Sequence, residues 1–413
     1  MNQSKTKIFV SAYACEPNKG SEPGVGWHWV LEMSKYFDVW VLTRKNNQES
    51  INKHFISHQK PDTLHFLYYD PPKYLTFWKN KLKGVHFYYA IWQRGVNRII
   101  KKTMAQENIS IFHLLTFGTI LLPVSKIGQK NTFIWGPVGG GNIIPKEYYK
   151  HYHLKGRIVE LTRKLMLSSL QWNRAFKNRC KNATTILCKD EATLLQIPKE
   201  YRHKGIVFTD VAVDIPYFEE EAQKTDKIKT TFIAVGQLEA WRGFDLIIEA
   251  TKEAIKVNEN IHVNILGEGH FYQHLEQLIS RYNLKKHISL LGKVDISTYH
   301  QMMSNTHVVI NTCLKEGAVT TSFDSIKYLK PLICVDTGGY TKYFNNEYAR
   351  VIKRRDRDTL IKELSQNMLE LSKPETREKI SSQLKNLHDK FSWQSKGIAI
   401  KDVINKLIKQ ENR

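Results

Sequence analysis

The sequence predicts an α/β protein of two domains, each a parallel sheet covered by helices on both faces. Two observations predict it. Short apolar runs rich in Val, Ile, Phe and Tyr alternate with longer helical patterns along the chain. The alternation stops at a charged stretch, 219–229 (EEEAQKTDKIK), and restarts beyond it. A chain of 413 residues has room for two domains of about 100–200 residues each.

In the first half, strands are expected at 7–14, 38–43, 64–69, 109–115, 132–135 and 184–188, with helices such as 25–36 and 87–104 between them. The strand runs are apolar at nearly every position, as strands covered on both faces require. In the second half, strands at 231–235, 262–266, 287–291, 307–311, 332–335 and 350–352 alternate with helices such as 244–256, 271–282 and 296–303. Repeated β-α-β units form parallel sheet. The expected division is a first domain at 1–218, a linker at 219–229 and a second domain at 230–390, followed by a last helix at 391–413.

Composition narrows the class. Hydrophobic residues make up 41% and charged residues 25%, the balance of a folded globular chain. The net charge of +22 favours anionic partners: nucleotides, nucleic acid or an acidic membrane surface. A well-solvated lysine-rich surface is the alternative. The five cysteines (Cys15, Cys180, Cys188, Cys313, Cys334) include no CxxC pair. They read as small hydrophobes in a reducing compartment, without a disulfide frame or zinc site. The polar CEPNKGSEPG after the first apolar run fits a strand and its loop better than a secretion leader. No window reaches about 18 apolar residues, so no membrane span is expected and the location is expected to be cytoplasmic. Residues 71–104 carry eight Lys/Arg and no acid, and 145–181 carry ten against two acids, interleaved with aromatics. Such stretches suit attachment to an anionic membrane surface; an ordinary solvated helix face is the alternative.

Ligands of open α/β sheets bind beyond the carboxyl ends of strands, and the informative residues follow strands here. Gly24 and Gly26 are expected in a turn that opens a helix, where backbone N–H groups can reach an anion. The spacing is not GxGxxG, so no dinucleotide fingerprint is present. His113 is expected at an open strand tip. Gly139-Gly140-Gly141 follow another strand as a loop able to approach a ligand closely. Arg242 stands just before a helix, where a guanidinium can hold a diphosphate by paired hydrogen bonds. Gly267 and Gly269 form a further glycine turn. Glu316, Gly317, Thr320, Thr321 and Asp324 lie around one helix start, a favourable place for phosphate between two carboxylates that suit sugar and ribose hydroxyls. For each of these the plain alternative is a tight turn, a cap or a solvated side chain.

Together, SAYACEPNKGSEPGVGWHW, FHLLTFGT, WGPVGGG, VGQLEAWRGFDLIIEA, LGEG, EGAVTTSFDSIKYLKPLICVDTGG and the late FSW at 391–393 resemble the retaining family 4 glycosyltransferases of the GT-B fold. The resemblance covers nearly the whole chain and is greatest to bacterial members that assemble capsule, exopolysaccharide or lipopolysaccharide. It implies two Rossmann-like, doubly wound domains facing a central cleft, the first binding acceptor and the second the nucleotide sugar, with the last helix crossing back to the first. It implies that Gly24 and Gly26 lie under the donor phosphates, His113 beside the transferred sugar, Arg242 on the diphosphate, Glu316 on the donor sugar and Asp324 on the ribose. Gly267, Gly269, Gly317, Thr320 and Thr321 complete the expected donor site. The sequence departs from the family at Gln237, where a basic residue is usual, so the diphosphate loses one positive charge unless Lys293 or Lys315 replaces it. Asp324 replaces a glutamate and Leu329 a glycine, and Asp210-Val211-Ala212-Val213-Asp214 replaces P-N-G-V-D.

The chemistry so implied is transfer of a hexosyl unit from a nucleoside-diphosphate sugar to a glycan or lipid-linked acceptor, with no cofactor or metal. Arg242 and the helix start at Thr320 would stabilise the leaving diphosphate. The one DxD, Asp356-Arg357-Asp358, lies late in the chain among arginines, where it reads as solvated. Rival readings are a sugar-nucleotide 2-epimerase of the same fold, a non-catalytic scaffold, and a nucleic-acid-binding protein. The last lacks an aromatic RNA platform, zinc finger or helix-turn-helix signature, so no nucleic-acid partner is expected.

Overall fold

The computed structural model describes residues 5–78, 84–122, 124, 131–149, 152, 154–214, 229–315 and 319–411. The strands of the first half are β1 Lys7–Ser11, β2 Asp38–Thr43, β3 Leu64–Tyr68, β4 Ile111–Leu114, β5 Thr132–Val138, β6 Thr185–Cys188 and β7 Gly205–Val207. Those of the second are β8 Thr230–Val235, β9 Ile261–Leu266, β10 Ile288–Gly292, β11 Val308–Asn311, β12 Leu332–Val335 and β13 Ala349–Ile352. They form one sheet in the order β3-β2-β1-β4-β5-β6-β7 and another in the order β10-β9-β8-β11-β12-β13. The pairings within both are parallel. In each sheet the order reverses once, between β1 and β4 and between β8 and β11. These are the topological switch points where a crevice opens beyond the strand ends.

The strands are apolar throughout because helices cover both faces. Phe9, Phe112, Ile134 and Ile186 are fully buried in the first sheet, and Phe232, Val263, Val309 and Ile333 in the second. All five cysteines are buried, and no disulfide joins any of them among the described residues. Strand β7 was not expected from the sequence, for Gly205-Ile206-Val207 is too short to show a pattern and lies at the sheet edge.

The chain packs as two compact units that are both discontinuous in sequence. The first comprises 1–141, 166–210 and 393–413, and the second 142–165 and 211–392. This corrects the expected first domain at 1–218. Residues 142–165 are built into the second unit, where Arg354 donates to the Ile143 carbonyl (3.4 Å), the Tyr148 hydroxyl to the Arg355 carbonyl, and Lys315 pairs with Glu160. The last helix, Trp393–Glu411, joins the first unit. Its Trp393 stacks on His28 with centroids 5.0 Å apart, and its Lys396 amine donates to the Thr209 carbonyl at 2.7 Å. Of the expected linker 219–229, only Lys229 is among the described residues. No described helix is long and apolar enough to cross a membrane.

Candidate functional site

In the first unit the switch point gathers the loops after β1 and β4 around the start of the helix Ser21–Tyr36. Gly24 and Gly26, expected in an open turn before the helix, lie inside it and are buried. The helix starts earlier than expected because Pro23 is tolerated in a first turn, where its missing N–H has no intrahelical partner to lose. The glycines serve close packing. A Cβ on Gly24 would stand 2.0 Å from the Lys19 carbonyl oxygen, and one on Gly26 2.1 Å from that of Ala14.

Sequence reasoning missed Glu22 in that first turn. Its Oε1 accepts from the Phe117 amide at 2.6 Å and the Gly118 amide at 3.2 Å, tying the β4 loop to the helix start. The Ala14 amide donates to Thr116 Oγ1 at 2.9 Å, closing the same knot. The helix dipole favours an acid in this position, and that was the available signal. A second missed group lies beyond β1, β2 and β3. The Arg44 guanidinium covers the Tyr13 ring at 4.7 Å, and the Tyr88 hydroxyl donates to Asp70 at 2.7 Å.

His113 is not at an open strand tip. It lies within β4, fully buried, against Trp29. Its Nε2 bonds the Gly136 carbonyl at 2.6 Å and so carries the proton, while the buried Nδ1 has no partner among the described residues. Burial lowers its pKa to about 4, the Gly136 bond opposing. The imidazole is neutral at physiological pH and joins β4 to β5. The glycine loop continues into the second unit's segment at Asn142, and the Gly141 amide donates to Thr193 Oγ1 at 3.0 Å.

In the second unit the switch point lies between β8 and β11, and Arg242 stands beside it. Thr312, just after β11, donates from Oγ1 to the Arg242 carbonyl at 2.9 Å, and the Leu314 amide donates to the Trp241 carbonyl at 3.0 Å. Gly243 takes φ +71° to turn the chain into the helix Phe244–Ala254. Two cations share the Trp241 ring: Arg242 at 4.4 Å and Lys315 at 4.8 Å. An anion beside the ring would meet both charges. Lys315 is largely buried and its amine pairs with Glu160; burial lowers its pKa, and Glu160 opposes that shift.

Gly267 and Gly269 hold the β8 and β9 loops together. A Cβ on Gly267 would stand 1.8 Å from the Gly236 carbonyl oxygen, and one on Gly269 2.4 Å from that of Leu238. The Leu238 amide donates to the Glu268 carbonyl at 3.0 Å. Lys293 follows β10, two strands from the switch point, and stands 4.0 Å from Glu268 in an exposed pair. Of the two lysines that could replace the charge missing at Gln237, the structure brings only Lys315 next to Arg242. Glu316 and Gly317 lie outside the described residues. Thr320 and Thr321 begin the helix Thr320–Lys327. Asp324, one turn on, accepts from the Tyr299 hydroxyl. Its pKa is raised to about 6 by burial, with Asp214 adding and Tyr299 and Lys327 opposing. Of the late DxD, Asp356 caps the helix Arg357–Glu370, while Arg357 is not solvated and bonds Asp245 and Glu249 at 2.7 and 2.6 Å.

Residues 218–387 match the family model described as Glycosyl transferases group 1. A phosphatidylinositol N-acetylglucosaminyltransferase component from Arabidopsis thaliana is 21% identical over 204 residues, 49% of this chain; the match spans 44% of that relative, less than half its length. Among solved structures, Anabaena Alr3699/HepE in complex with UDP superposes with TM-score 0.62 at 12% identity, over 97% of this chain and 100% of that one. A glycosyltransferase from Rickettsia africae gives 0.62 at 13%, over 98% and 100%. WaaG, a glycosyltransferase involved in lipopolysaccharide biosynthesis, gives 0.60 at 12%, over 96% and 99%. At these identities the likeness is one of fold, and that fold is GT-B.

Proposed function

Because residues 218–387 match the glycosyl transferases group 1 model and the chain has the GT-B fold, we propose that the protein is a retaining hexosyltransferase using a nucleoside-diphosphate sugar. The observation that carries the proposal is the pair of cations, Arg242 and Lys315, on Trp241 at the second sheet's switch point. As the anomeric bond breaks, the leaving diphosphate gains charge, and preorganised cations lower the barrier by meeting it. Arg242 would bind it by two parallel N–H donors. Glu316 would bind the donor sugar and Asp324 the ribose. With the leaving charge met by protein groups, the reaction needs no divalent metal. The acceptor is a lipid-linked or growing bacterial surface glycan, and the basic segments 71–104 and 145–181 keep the enzyme at the inner face of the plasma membrane.

The test is a donor screen with UDP-, GDP-, TDP- and ADP-sugars in EDTA, following nucleotide release. One donor should be turned over by the wild type and lost in Arg242→Ala and Glu316→Ala. Turnover that needs added Mg²⁺ would refute metal independence. Release of a free epimerised nucleotide sugar would favour the 2-epimerase, and no binding of any donor would favour a scaffold.

A further inference from the structure

The helix Leu154–Ser169 leaves an apolar stripe uncovered. A helix on a globular protein turns its apolar stripe inward. Here Leu154, Ile158, Leu161 and Leu165, spaced four, three and four apart, form one stripe that is 50–73% exposed. The inward side carries the buried Leu167 and, two turns before it, Glu160, which is buried and paired with Lys315.

What would cover the stripe follows from charge. Arg157 and Lys164, seven residues apart, run along one edge of it. Segment 145–181 holds ten Lys/Arg and only two acids, and one of the acids, Glu160, is already neutralised by Lys315. An apolar stripe edged by cations matches hydrocarbon beneath anionic head groups. A second copy of a chain with net charge +22 would meet it with repulsion.

The inward face leads to the cation pair. While Glu160 holds Lys315, the charge beside Trp241 is partly cancelled, and Gln237 supplies none. A diphosphate bound there would compete with Glu160 for the Lys315 amine. We propose that this helix seats on an anionic bilayer through the Leu154–Leu165 stripe, and that Glu160 on its other side exchanges Lys315 with the donor diphosphate, so that lipid binding and donor binding are linked. The linkage rests on the reading that the Trp241 site takes a nucleoside diphosphate; the lipid surface does not. Linkage is reciprocal, so each ligand must change the other's affinity by one and the same factor.

The experiment sediments the full chain with vesicles of phosphatidylcholine alone or mixed with phosphatidylglycerol. UDP, GDP, TDP and ADP affinities are measured by calorimetry with and without vesicles. The wild type should bind the anionic vesicles only. The combined Ile158→Ser, Leu161→Ser and Leu165→Ser variant should lose about tenfold or more in that binding, with nucleotide affinity in free solution unchanged. Equal vesicle binding by this variant, or none by the wild type, overturns the surface. Anionic vesicles should shift the wild-type nucleotide Kd by about fivefold or more, and Glu160→Gln should abolish the shift. If Glu160→Gln does not fold, Glu160→Gln with Lys315→Gln removes both charges and must abolish it too. A wild type with no shift, or a shift kept in these variants, overturns the linkage. If no nucleotide binds under any condition, the linkage falls with the transferase reading, and the sedimentation result still decides the surface.

Discussion

Glu22 and Phe117, 95 positions apart in sequence, are joined by a 2.6 Å hydrogen bond from the Phe117 amide to the Glu22 carboxylate. Phe117 holds φ +60°, a conformation that costs a non-glycine residue energy and persists only where its surroundings impose it. Glu22→Ala should therefore cost about 1.5–3 kcal/mol, the loss of a charge-assisted bond with two amides left behind. Glu22→Gln keeps one acceptor and should cost less. Urea denaturation of both variants checks the order; equal costs would mean that the side chain acts by packing alone.

His113 should make the fold acid-sensitive. Its folded pKa of about 4 lies below the ordinary 6.5, so its contribution is fully present above about pH 6.5 and is lost as pH falls through 4. The wild type should lose about 2–3 kcal/mol from this group across that window, and His113→Gln should not. Denaturation midpoints measured through the window test the sign. Parallel profiles for the two proteins would contradict it.

Asp324 has the opposite sign. Its pKa is raised to about 6 from 3.8, so its contribution is fully present below the lower value and is lost as pH rises through the upper one. Asp324→Asn should be more stable than the wild type near about pH 8, by about 1–2 kcal/mol, with the gap closing on acidification. The same variant should bind nucleotide more weakly if the carboxylate meets the ribose. Stability and affinity are read separately, by denaturation and calorimetry.

Gly26→Ala and Gly20→Ala form a matched pair. A Cβ at Gly26 meets the Ala14 carbonyl oxygen at 2.1 Å and Thr116 Cγ2 at 2.8 Å, whereas one at Gly20 meets nothing within 4 Å. The first should cost about 2 kcal/mol or more through backbone displacement. The second should stay within about 0.5 kcal/mol of wild type. Thermal melts decide; similar melting points would remove the packing role given to Gly26.

Strands were legible in the sequence because buried parallel strands are apolar without interruption, and 332–335 and 38–43 have the ends expected of them. The motif loops were legible as punctuation after strands, and Arg242 does stand at a switch point. What the sequence hid was direction and partnership. His113 looks the same in a strand whether its ring faces a ligand or the core, and only the Gly136 carbonyl distinguishes the two. Lys315 and Glu160 lie 155 positions apart, and no local pattern pairs them. The packing of 142–165 with the second unit leaves no compositional mark, since the helix Leu154–Ser169 runs unbroken across the division at 165/166.

The discontinuity of both units governs how the chain can be made. Residues 393–413 complete the unit that β1 opens. During synthesis that body is started first, and it waits for a ribosome to deliver every strand of its neighbour before its closing helix emerges. The neighbour, for its part, needs residues 142–165, which are made before any of its own strands. Cutting the gene at the apparent linker would thus yield two fragments, each missing a piece carried by the other. Mixed together, they should regain by complementation what neither holds alone.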